Sequence, residues 1–347
     1  MTAAIAGARS RPSDRSSTEP TFVPSSGGVP REDQGAIGSG PGPARSATLL
    51  TGGIVAYNEE RCIRGAILSL LGQDLPDGFA WDRILVVASG CTDRTVELAQ
   101  GIDQRVDVLV EPERRGKASA LRQIFARATG EFLVLLNADA QADPGAVGSM
   151  LRLGRGSDEA FVVMGRPIPR ESREGPTADG IQLLWDLHHE LHRAALAAGT
   201  GTHVSDELLL LPSRLIPPLP ASVVNDGAFI GAWLKRNGGH LAYAPTAVVA
   251  IETPRTMSDH LSQRRRILWG HAQVGHLTGL APTTLQRFAR DHPVITWRMI
   301  TRSVRARPHG VRALCWLGAS EWFASVLSLK DRLRPAADPT RWRTISS

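Results

Sequence analysis

Large apolar residues begin to recur near Thr48, and from there they alternate between two periods. Leu49 to Tyr57 is a strand-length apolar run interrupted by Gly52-Gly53. Asn58 predicts a helix cap, with Glu59 and Glu60 in the first turn. Ile63, Ala66, Ile67, Leu70 and Leu71 then fall on one helical stripe. Arg83–Ala88 predicts a second strand, followed by the polar turn Ser89-Gly90-Cys91-Thr92-Asp93. Thr92 or Asp93 caps the next helix, which runs to about Gln100. Val106–Val110 predicts a third strand. Arg114-Arg115-Gly116-Lys117 opens a helix with Ala118, Leu121, Phe125 and Ala128 inward. Glu131–Leu136 is almost unbroken in apolar character, the mark of a strand buried on both faces. It ends in Asn137, Ala138 and Asp139, and Asp143-Pro144 reads as the cap and first residue of another helix.

Strands alternating with amphipathic helices predict a parallel sheet, and right-handed crossovers gather the polar turns along one edge. Ligands of such sheets bind beyond the carboxyl ends of the strands. A carboxylate placed there, Asp139, can hold a divalent cation that in turn holds a diphosphate. The plainer reading of the same residues is an ordinary Asn/Asp turn.

The second half is less regular. Phe161–Gly165 predicts a strand, then Arg166-Pro167-Ile168-Pro169 leads into a loop to about Asp179. A helix over 181–198 turns Ile181, Leu184, Leu187, Leu191, Ala194, Ala195 and Ala198 inward and carries His188, His189 and His192. His188 and His192, one turn apart, have the spacing of a shared metal site; a solvated or acceptor-facing polar stripe is the other reading. Residues 208–220, rich in Leu and Pro, predict irregular chain. Val223-Val224 precedes a helix to about Asn237, and His240–Ala244 with Pro245 predicts a short strand. Helices follow at about 256–276 and over 283–334. Ala313–Leu329 is apolar except for Glu321 and is short for a membrane span, so it predicts a buried or interfacial helix with Trp316 and Trp322 at its margin.

Composition narrows the classes. The chain has 347 residues, 42% hydrophobic, enough for a full core in one large domain or two. Residues 1–46, rich in Ser, Gly, Pro, Arg and Ala, predict a disordered tail. With 40 Lys and Arg against 34 Asp and Glu, the net charge is +6, and much of the excess lies late in the chain. That favours an anionic partner: phosphates, nucleotides or anionic lipid headgroups. No nucleic-acid motif or aromatic–basic repeat is present. Cys62, Cys91 and Cys315 are scattered and fit a reducing compartment, and the N-terminus lacks the apolar core of a signal peptide. The expected location is therefore cytoplasmic.

Four stretches together resemble glycosyltransferase family 2. They are Ala56-Tyr57-Asn58-Glu59-Glu60, Ser89-Gly90-Cys91-Thr92-Asp93-Arg94-Thr95, Arg115-Gly116-Lys117-Ala118-Ser119-Ala120-Leu121, and Asn137-Ala138-Asp139 with Asp143-Pro144. The likeness covers roughly 48–270. Gly-Arg-Pro-Ile-Pro from Gly165, Leu-Leu-Trp-Asp-Leu-His-His ending at His189, Glu207 and Gln263-Arg264-Arg265-Arg266-Ile267 look like a soluble subgroup of it. The resemblance implies a GT-A fold, that is, an α/β architecture with a mostly parallel sheet flanked by helices, here with a C-terminal helical extension. Two departures stand out. Ala88 and Ser89 replace the usual Asp residues of the second turn, and Asn137 leaves Asp139 as the charged member of the Asp-x-Asp triplet.

Family roles carry over onto matching positions. Ala56, Tyr57, Glu59, Ser89, Lys117, Asn137, Ala138 and Asp139 would hold the nucleotide donor, Asp139 through Mn²⁺ or Mg²⁺. Asp226, in the pair Asn225-Asp226, would be the catalytic base; its plainer reading is an N-cap. Trp185, His189, Glu207, Gln263, Arg265 and Arg266 would face the acceptor or the diphosphate. Residues 47–165 then form the nucleotide-sugar half, 166–282 the acceptor and catalytic half, and 283–347 a helical extension. The expected activity is inverting transfer from a UDP- or GDP-linked sugar to an acceptor the sequence does not identify, with peripheral contact at the inner membrane face. A nucleotidyltransferase, or a non-catalytic nucleotide-sugar-binding protein, is the alternative.

Overall fold

A computed structural model describes residues 47–154, 161–170 and 174–333, with side chains to 330. The tail expected over 1–46 lies outside them, as do residues 171–173 of the loop after Pro169 and residues 334–347 of the expected helical extension. The first half follows the sequence pattern: β1 (Thr48–Ala56), α1 (Ile63–Leu71), β2 (Phe79–Ser89), α2 (Thr95–Ala99), β3 (Val106–Glu111), α3 (Lys117–Arg127), β4 (Phe132–Asn137). After it come β5 (Ala140–Ala142), α4 (Ala146–Gly154), β6 (Phe161–Pro169), α5 (Pro176–Ala197), β7 (Leu208–Pro212), α6 (Asp226–Arg236) and β8 (His240–Ile251). Four helices close the described chain: α7 (Met257–Thr278), α8 (Leu285–Asp291), α9 (Pro293–Arg305) and α10 (Gly310–Leu333).

The strands form one sheet in the order β3-β2-β1-β4-β7-β6-β8-β5. β3, β2, β1 and β4 are mutually parallel, while β7 runs antiparallel to both β4 and β6. Alternate residues of each strand feed opposite faces. Val134 and Leu136 join the layer of α1 and α4; Leu133 and Leu135 join that of α3 and α6. A separate apolar cluster, Leu183 and Leu187 with Ala313 and Leu317, seals α5 to α10. These two helices approach closely because Gly180 lies under the Trp316 ring, where a Cβ would overlap it.

Several expectations change. α1 starts at Ile63, not after Asn58: Asn58 takes a left-handed conformation (φ 55°), and its side chain accepts from the Thr92 N–H at 2.8 Å, tying the first turn to the second. Leu208–Pro212 is a fully buried strand, not irregular chain. β8 continues past Pro245 to Ile251, because its pairing with β6 shifts register there and Pro245 falls in the irregular stretch. Among the described residues, no helix is long and apolar enough to cross a membrane.

Candidate functional site

The polar turns do gather beyond one edge of the sheet, and they open onto a cavity of about 560 Å³. Tyr57, Glu59, Ser89, Lys117, Asn137, Ala138, Asp139, Trp185, Glu207, Asp226, Gln263 and Arg266 all line it. Three expected residues do not. The Ala56 side chain is in the core, its carbonyl accepting from the Cys91 thiol at 3.6 Å. His189 turns off the lining face of α5 and meets the Tyr243 hydroxyl at 2.7 Å. Arg265 is set about 100° around α7 from its neighbours, so Gln263, Arg264, Arg266 and Ile267 reach the cavity without it.

At the end of β4, the carboxylates crowd together. Glu59 is pushed up to about 8 by burial and by Asp139, Asp93 and Glu252. Burial also raises Asp139, with Lys117 opposing. The Glu252 N–H donates to the Asp139 carbonyl at 3.2 Å, which brings those two residues side by side. Hard oxygen donors that disfavour one another's charge suit Mn²⁺ or Mg²⁺. Among the described residues, no three acidic, His or Cys side chains converge tightly enough to hold an ion unaided. Arg114 stacks over the Tyr57 ring at 3.9 Å, giving this end of the cavity a cationic and aromatic wall.

Lys117 is half-buried and committed to neighbouring carboxylates. Gly116 (φ 90°), in a region costly for other residues, turns the chain so that Lys117 opens α3. Its ammonium pairs with Asp206 and, at 3.0 Å, with Asp226. Burial works against that charge, but the two carboxylates more than compensate and raise its pKa. Lys117 in turn overcomes burial at Asp206 and brings it down to about 2. At Asp226 burial prevails: the residue is 5% exposed and its carboxyl rises to about 6, with Lys117 opposing. Glu207, bonded to the Ser205 hydroxyl, rises to about 7 through burial and the charge of Asp206.

Asp226 is not the helix cap. Asn225 is, its side chain accepting from the Ala228 N–H at 2.8 Å. Asp206 was not singled out by the sequence; its one signal is adjacency to Glu207 after a polar loop.

Of the α5 histidines, His192 is buried and His188 and His189 are half-buried, so they do not form a solvated stripe. His188 and His192 face each other, Nε2 to Nε2, at 3.0 Å, and His203 and His271 extend the group. Burial, above all, holds them neutral: His188 falls to about 3, His203 to about 4 and His271 to about 2.

The poly-β-1,6-N-acetyl-D-glucosamine synthase of Staphylococcus aureus (strain COL) is 24% identical over 230 residues, 64% of this chain and 53% of that protein. The chain thus spans about half the length of the curated relatives it matches. The mannosyltransferase PcManGT from Pyrobaculum calidifontis, solved with GDP-Man and Mn²⁺, has a TM-score of 0.53 at 21% identity, covering 87% of this chain and 85% of that one. Glucosyl-3-phosphoglycerate synthase from Mycobacterium tuberculosis, solved with Mn²⁺, UDP and phosphoglyceric acid, gives 0.47 at 20% identity, covering 65% and 78%. The mannosyltransferase shares the fold, a GT-A arrangement of a curled sheet between helices. Residues 53–194 match the model of glycosyl transferase family 2.

Proposed function

We propose that the chain transfers a sugar from a nucleoside-diphosphate sugar, UDP- or GDP-linked, to an acceptor hydroxyl, with inversion at the anomeric carbon. One observation carries the reading: a buried carboxylate, Asp226, lies in the same cavity as the acidic cluster at the end of β4, with its pKa raised into the range useful for a base. Asp139 would hold the donor diphosphate through Mn²⁺ or Mg²⁺, with Glu59 and Glu252 beside it. When bound, that cation supplies positive charge to the leaving diphosphate.

The remaining chemistry belongs to the side chains. Asp226 takes the proton of the acceptor hydroxyl as its oxygen bonds to the anomeric carbon. The bond from that carbon to the diphosphate breaks, and the nucleoside diphosphate leaves with the electron pair. A single displacement of this kind needs one base and no protein nucleophile. Lys117 fixes the Asp226 carboxylate at 3.0 Å and keeps it from rising further. Arg266 faces the same cavity, where it would offset phosphate charge.

The reading includes peripheral contact with an anionic membrane surface on its cytoplasmic side. α9 and α10 expose Trp297, Val311, Trp322, Phe323, Val326 and Leu329. From 285 to 330 the exposed charges are Arg287, Arg290, Arg298, Arg302, Arg305, Arg312 and Lys330 against Asp291. This pairing of apolar and basic surface suits acidic headgroups. The test of function is release of nucleoside diphosphate from UDP- and GDP-sugars by purified protein with Mn²⁺. Absence of release and of binding across such a panel would refute it.

A further inference from the structure

The cavity does not end at Asp226. It continues between α5, α9 and α10, where its walls are Leu184, Leu187, Leu191, Ile300, Leu314 and Leu317. Arg264 and Glu321 line this end too, but they cancel in a two-pronged ion pair of 2.5 and 2.9 Å. The imidazoles at its inner margin are held neutral by their burial. A charged group entering here would lose its water and find no uncommitted counter-charge among these walls. A sugar would bring hydroxyls against leucine and isoleucine side chains that offer no hydrogen bonds. A hydrocarbon or isolated ring system would gain by leaving water.

We infer that the acceptor is an amphiphile, with its hydroxyl-bearing head at Asp226 and its apolar tail between α5, α9 and α10. The inference rests on the glycosyl-transfer reading and names the acceptor class of that same site. The outer faces of α9 and α10 support it. They present Trp297, Trp322 and Phe323 to the outside of the same helices that wall the tail compartment. A surface that meets lipid would thus stand beside a chamber that takes an apolar chain.

The test is calorimetric titration of the whole chain with hexyl, octyl and decyl β-D-glucoside, each below its micelle-forming concentration, and with glucose. UDP and GDP are titrated in parallel with Mn²⁺. Affinity should tighten about fourfold per added methylene, the usual worth of moving a CH₂ out of water. Leu314→Gln should weaken decyl glucoside at least tenfold, while Trp322→Gln leaves it unchanged; both should bind nucleoside diphosphate as the parent does. Affinity independent of chain length would overturn the inference, as would loss of binding in Trp322→Gln with none in Leu314→Gln. Chain-length dependence without binding of either nucleotide would overturn the glycosyl-transfer reading instead, leaving the compartment's preference for apolar ligands standing.

Discussion

The two ends of the cavity handle charge in opposite ways. At the sheet edge, Glu59, Asp139, Glu207 and Asp226 are crowded, and burial raises all four above ordinary carboxylates. That end is short of positive charge, which a divalent cation would supply. At the helical end, burial strips the histidines of charge, and Arg264 and Glu321 satisfy each other in an ion pair. That end asks for nothing charged. Lys117 stands between the two and is shared by Asp206 and Asp226. On the proposed function, a cavity sorted in this way would separate a charged donor from a neutral acceptor, with Asp226 at their meeting point.

Substitutions at the meeting point should have the largest effect. Asp226→Asn keeps the shape but removes the proton acceptor, so turnover should fall by roughly 10²–10⁴. Because Asn225 holds the cap, the helix should keep its stability, read as an unchanged melting temperature. A rate within about threefold of the parent, at saturating donor and acceptor, would remove Asp226 from the mechanism.

At the charged end, Asp139→Asn should weaken Mn²⁺-dependent binding of UDP or GDP by about 10- to 100-fold, on the scale of losses seen when a metal site is disturbed. Calorimetry giving equal affinity for both proteins with metal present would place the cation elsewhere. At the helical end, Gly180→Ala pushes a methyl into the Trp316 ring and should cost about 1–3 kcal/mol of stability. Thermal melts read this, and nucleotide binding should persist. A variant as stable as the parent would mean that α5 and α10 are packed less tightly than described. The smallest effect is expected outside: Trp322→Gln should lower binding to acidic-lipid vesicles by a few-fold, with salt weakening the parent as well. Equal binding to neutral and acidic vesicles would set the basic surface aside.

The same contrast explains what the sequence disclosed. In the donor half, doubly buried parallel strands leave unbroken apolar runs, and Leu50, Ile54, Val86 and Val134 stand where those runs place them. The turn residues Tyr57, Ser89, Lys117 and Asp139 were legible because they end such strands or open the helices after them. The start of α1 was not, because Asn58 spends its side chain on Thr92, a long-range partner. β7 was masked by the prolines around 212–220, although Leu208–Leu211 are buried to the last residue. Asp206 carries no spacing signal; only the fold brings Lys117 to it. The tail compartment was equally hidden, since α5 and α10 show ordinary apolar stripes whose mutual fit leaves space that no single helix records.

The most direct measurement is the pH dependence of kcat/KM for transfer, in the parent, Asp226→Asn and Glu207→Gln. Asp226 must be ionised to accept a proton, and its carboxyl lies at about 6. The parent's rate should therefore climb about tenfold per pH unit below about 6 and level off above it. Glu207→Gln should keep that limb, and Asp226→Asn should lose it along with most of the rate. A limb near pH 6 that survives in Asp226→Asn, or a parent profile flat from pH 5 to 8, would contradict the assignment of Asp226 as the base.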